Sequence, residues 1–159
     1  MNEDLKALID TYYSLADAMA AQGLPGDGES LKTHMVMVSV AVAAAEGSVR
    51  DSEINCIRQY LGYPLTKEIV HENILPAKLD KILTRPPVEI YAFVAAEKNM
   101  AGAEEGPGIA DMFIKVVDSY LTEMIMADGD ADENETWIKD KYISMLKSEV
   151  KKTRKKFKS

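Results

Sequence analysis

Cysteine is almost missing: Cys56 is the one thiol in 159 residues. A lone thiol excludes a disulfide framework. With His34 and His71 as the only histidines, no spacing suits a zinc site. Cys56 itself reads as a packed helix residue. Long hydrophobic runs are missing too. The longest, Met35 to Ala45, is interrupted by Ser39 and falls short of the roughly 20 residues that cross a bilayer. The start, Met1-Asn2-Glu3-Asp4, is acidic and lacks the basic opening of a secretory signal. A cytoplasmic location is the expectation. Phosphate-binding and nucleophile motifs are also absent: there is no Walker loop, no GxGxxG, no GxSxG and no HExxH. These absences point away from an enzyme. Net charge is −7, which makes the whole chain a poor binder of nucleic acid.

Helical periodicity is abundant, and sustained alternation is not found. Leu5, Leu8, Ile9, Tyr12, Leu15, Ala16 and Met19 line one face of a first helix, ended by Gly23. Ser30 is the expected N-cap of a second, apolar nearly all round from Met35 to Ala45, which is the pattern of a central element. A short helix covers 51–61. Two small ones are expected at 66–72 and 77–83, and another after Pro86-Pro87, with Ile90, Tyr91, Val94 and Ala95 inward. Segment 102–108 is a Gly-rich loop. A long apolar helix spans about 109–127, and a last helix starts near Glu133. The nine methionines fall largely on these apolar faces and read as core filling. The expected fold is all-α, a bundle of seven to eight helices in one domain over 1–150, followed by a basic stretch at 151–159.

A pattern recurs at an offset of 82 residues. Ala45-Glu46-Gly47 is followed by Asp51 and Glu53; Ala127-Asp128-Gly129 is followed by Asp130, Asp132 and Glu135; Tyr60 and Tyr142 keep the offset. Each copy is a buried helix, an acid-Gly turn and a helix with Glu in its first turn. Gly47 and Gly129 suit left-handed helix ends. Asp132 and Glu135 have capping-box spacing, whereas Arg50 breaks the box in the first copy and leaves Asp51 as its expected cap.

This doubled pattern resembles the TerB-like family, named for the tellurite-resistance protein TerB. Met124 to Gly129 with Asp132 and Glu135 is the better match; Val42 to Gly47 with Glu53 echoes it, with Glu for Asp in the turn. The resemblance covers about 31–146. It implies a pseudo-symmetric helical bundle, a link to metal or tellurite stress, and action through protein partners, as in related domains attached to DnaJ-like chaperones. It implies no catalytic residue.

The acids allow two readings. Asp128, Asp130, Asp132, Glu135, Glu46, Asp51 and Glu53 are either caps and turn formers or oxygen ligands for Ca²⁺ or Mg²⁺, in a sensor or a metal-dependent enzyme. Asp128 opens like an EF-hand loop, but position 6 is Glu133 and position 12 is Lys139, so that loop fails and capping weighs more. Six of the 19 basic residues fall in 151–159, which holds no acid. That stretch is either a solvated helix end or a contact for an anionic membrane or an acidic partner.

Overall fold

The computed structural model describes residues 1–75, 79–100 and 108–158, with the Glu46 and Lys158 side chains left aside. The expected helix at 77–83 and loop at 102–108 therefore fall partly outside the described residues. Seven α-helices and no strand are described: α1 (Glu3–Ala20), α2 (Gly28–Ala43), α3 (Asp51–Leu61), α4 (Lys67–Ile69), α5 (Glu89–Asn99), α6 (Ile109–Ile125) and α7 (Glu133–Lys158). Residues 70–74 continue α4 as a wider π turn, and 79–84 form a 3₁₀ segment.

The repeat extends to whole helices. α3 and α7 begin 82 residues apart, and α2 and α6 end 82 residues apart. Gly47 and Gly129 share that offset, with φ of 108° and 92°. A side chain there meets no neighbour but strains the backbone. The two halves are thus α1–α3 and α5–α7. α2 and α6 are central as expected: α2 packs on α1, α3, α6 and α7, and α6 on α1, α2, α3, α5 and α7. Val38, Val40, Val42, Phe93, Leu121 and Met124 are fully buried along this axis.

Several local expectations are corrected. The N-cap of α2 is Asp27, not Ser30: Asp27 Oδ1 accepts the Ser30 N–H at 2.7 Å. Helix α2 therefore starts earlier, and its last turn tightens into a 3₁₀ segment at Ala44–Glu46. Leu8 and Tyr91 lie exposed rather than inward, each at the edge of its apolar stripe. The boundary at 150 falls inside α7, which runs on to Lys158. Thr153 is buried there, Phe157 lies 5.0 Å from the Tyr91 ring, and Arg154 makes two ion pairs.

Buried polar groups tie the halves together. Ser39 donates to the Met35 carbonyl at 2.6 Å and shares a 2.7 Å hydrogen bond with the Tyr120 hydroxyl. His34 Nε2 lies 2.8 Å from the Tyr142 hydroxyl. Burial pushes the His34 pKa down from 6.5 to about 4, because the charged ring loses water and gains no acid. Neutral His34 shares this hydrogen bond with the Tyr142 hydroxyl, which stays protonated because burial raises its pKa. With the folded pKa below the unfolded one, the unfolded chain binds more protons between pH 6.5 and 4. Stability should therefore fall by up to about 3 kcal/mol as pH drops through that window. His34→Gln keeps an acceptor for Tyr142 and should flatten the dependence; urea titrations of both proteins across the window check this.

Candidate functional site

Among the described residues, the acids read from the sequence do not gather at one point. Asp51 is the first residue of α3 and lies in solvent, 3.5 Å from Lys67. It is not the cap. Arg50 occupies that position, and its backbone N–H donates to the buried Glu53 carboxylate at 2.8 Å. Half of the capping box thus survives without its side-chain acceptor. In the second copy Asp132 Oδ1 accepts the Glu135 N–H at 2.9 Å, as the spacing predicts. Glu135 is buried at the position equivalent to Glu53. Asp128 folds back to accept the Asp130 N–H at 3.1 Å, and Asp130 itself is exposed. Glu46 lies in the 3₁₀ turn.

The two turns meet through an ion pair between Arg50 and Asp128, which the sequence reading missed. The guanidinium sits where a cation would approach Asp128. Among the described residues, Asp132 is engaged as a cap and Glu53 holds a backbone N–H, which favours the capping reading over a calcium or magnesium shell of six or more oxygens. Among the described residues, no three His, Cys, Asp or Glu side chains gather to hold an ion. Asp132→Ala should cost about 0.5–2 kcal/mol, equally in calcium, magnesium or chelator. Thermal melts in the three buffers test this; a deficit confined to metal-containing buffer would restore the ligand reading.

A second device repeats with the helices. The Gly28 N–H, at the start of α2, donates to Asp17 of α1 at 2.8 Å. The Ala110 N–H, at the start of α6, donates to Glu97 of α5 at 2.8 Å. Positions 28 and 110 are again 82 apart. Each half uses an acid of its first helix to satisfy an orphan donor of its second. In the second half Arg154 closes over the acid. It binds Glu97 at 2.8 and 3.1 Å and Asp111 at 2.9 and 3.2 Å.

The one thiol and the second histidine lie apart from the polar groups just described. Burial pushes the Cys56 thiol up to about 12, with Glu123 and Glu53 adding to the shift, so it is no nucleophile at neutral pH. His71 is exposed, beside the short α4. An interior void beside Tyr12 and Tyr120 measures about 20 Å³, room for a water molecule and no more.

An open groove of about 750 Å³ lies between α1, α6 and the start of α7. Leu5 and Leu8 of α1 and Met126 form its apolar part; Asp4, Asp118 and Glu123 supply negative charge. Leu8 is 40% and Met126 51% exposed, which leaves two large apolar side chains open to solvent beside acids. Lys139, at the position that defeated the EF-hand reading, closes one side. Its ammonium lies 2.8 Å from Asp118, 3.2 Å from Thr122 Oγ1 and 3.1 Å from Asp140. Burial works against the Lys139 charge, but the hydrogen bonds to Asp118 and Asp140 outweigh it and hold its pKa above the usual value. With Asp4, Asp118 and Glu123 set against Lys139, the groove carries net negative charge.

No family model matches the chain, and neither does a curated protein or a solved structure. The class that fold and groove define is an all-helical bundle made of two like halves, with an acidic, partly apolar groove on its surface. Among the described residues, no helix is long and apolar enough to cross a membrane.

Proposed function

We propose that this protein is a non-enzymatic binding module of the TerB-like kind, acting through a protein partner that enters the groove between α1 and α6. The observation that carries the reading is the pairing of exposed Leu8 and Met126 with Asp4 and Glu123 in one open groove. Such a surface is complementary to a basic amphipathic helix. Apolar anchors of the partner at i and i+3 or i+4 would cover Leu8 and Met126, and flanking lysines or arginines would meet the acids. The doubled helix–acid-Gly turn–helix pattern supports the TerB-like kinship. The ion pairs at Arg50 and Arg154 suit a scaffold that presents a preformed surface.

A fluorescein-labelled Leu/Lys helical peptide is the probe. Saturable binding to the full chain is expected, weakening as salt rises. Leu8→Glu with Met126→Glu should weaken it by roughly tenfold or more, and Glu123→Lys by a smaller factor. Equal binding by all variants would overturn the groove as the site, and divalent-dependent turnover by the parent would favour the metal-enzyme alternative.

A further inference from the structure

The outer face of α7 has features that packing does not explain. Trp137, the chain's single tryptophan, is 63% exposed. Lys141 follows it by one turn, with its ammonium 4.8 Å from the centre of the indole ring. Along the same stripe Lys151, Lys152 and Lys155 are exposed, and small Ser144 and Ser148 lie between. These residues fall near i+4, i+7, i+11, i+14, i+15 and i+18 from Trp137, one side of an α-helix about 27 Å long. Glu133 and Asp140 share this side at the start of the helix, ahead of the lysine stretch, and the Asp140 carboxylate is 3.1 Å from the Lys139 ammonium. The opposite side of α7 carries Tyr142, Leu146, Val150 and Thr153 into the bundle.

We propose that this outer face of α7 seats the protein on an anionic phospholipid surface. An exposed indole belongs to the membrane–water interface, where its ring reaches the headgroup layer and its N–H stays hydrated. Lysines in a row along a helix lying flat contribute attraction to anionic headgroups, and their apolar stems can lie in the interface. The residue choice separates lipid from nucleic acid. The stripe carries lysine only, while Arg154, the basic residue suited to bidentate phosphate contacts, is turned inward to Glu97 and Asp111. The net charge of −7 does not oppose docking, because a charged plane senses mainly the groups within a Debye length, about 8 Å at physiological salt. Lys139 and the groove project from the other side of α7, so a seated molecule keeps its groove open to the solution.

The single indole makes the test direct. The full chain is mixed with vesicles of phosphatidylcholine alone, or of phosphatidylcholine with one third phosphatidylglycerol. Tryptophan emission and co-sedimentation are recorded. A blue shift and sedimentation with the anionic vesicles only, both declining as salt rises, are expected. Lys151→Glu with Lys155→Glu should reduce partitioning by about tenfold or more, and Glu123→Lys in the groove should leave it unreduced. Circular dichroism confirms that the variants fold. Equal binding to neutral vesicles, no binding to either, or partitioning indifferent to the double reversal would overturn the proposal. So would an indole that responds to duplex DNA or polyglutamate but not to vesicles.

Discussion

Val40→Asp should lower stability by about 4 kcal/mol or more and move the urea midpoint accordingly. Val40 is fully buried on α2, the helix that touches both halves of the bundle. An aspartate there loses its water inside the hydrophobic core. Either the carboxylate ionises at a large desolvation cost, or it takes up a proton and its pKa rises far above the ordinary carboxylate range. Both routes penalise the folded state. Val40→Ala, which removes two methyl groups without adding charge, should cost about 2 kcal/mol, so the difference between the two variants isolates the charge. The deficit of the aspartate variant should also shrink as pH falls, since protonation removes the charged form. An unchanged midpoint in the aspartate variant would mean that α2 is not the centre of the fold.

Ending the chain after Val150 should cost about 3 kcal/mol or more, though the segment removed is mostly lysine. The loss comes from three residues that face inward. Arg154 satisfies Glu97 and Asp111, and Glu97 in turn holds the first turn of α6. Without the guanidinium, a largely buried Glu97 faces Asp111 with like charge. Phe157 leaves Tyr91 bare, and Thr153 leaves a gap against the bundle. Arg154→Lys should cost only about 1 kcal/mol, because one ammonium keeps the charge but cannot bridge both acids in a fork. Thermal melts of the three proteins decide the matter. A truncated chain that melts with the parent would show that 151–158 is a solvated extension.

The sequence reading reached the helices, the repeat and the Asp132 cap because those are set by local chemistry. An apolar run such as Met35 to Ala45 has one way to be buried, and Gly47 and Gly129 end their helices through their own backbones. It placed the α2 cap at Ser30 because Gly28 between Asp27 and Ser30 hides the start; the stronger acceptor was three residues upstream. The groove, the Arg50–Asp128 pair and the acids Asp17 and Glu97 were out of reach. Each joins residues from different helices, and no single-helix pattern encodes which ends will meet. Leu8 shows the difference in one residue. It fits the apolar spacing of α1, yet it sits at the margin where α1 turns from the core to the groove. The 82-residue offset did hold one unused signal: Gly28 and Ala110 are counterparts, each preceded by an acid 11 to 13 residues earlier.

The ion pair between the two turns has a consequence for ancestry. Counting by the same offset, Asp128 is the counterpart of Glu46, and Arg50 is the counterpart of Asp132. At these positions two first halves would bring together arginine and glutamate. Two second halves would bring together only aspartates, which repel. The two halves are therefore unlike partners at this seam: the charge pairing works between a first and a second half and fails between two second halves. A chain in which Arg50 became acidic would lose that mutual preference and set like charges against each other where the turns meet.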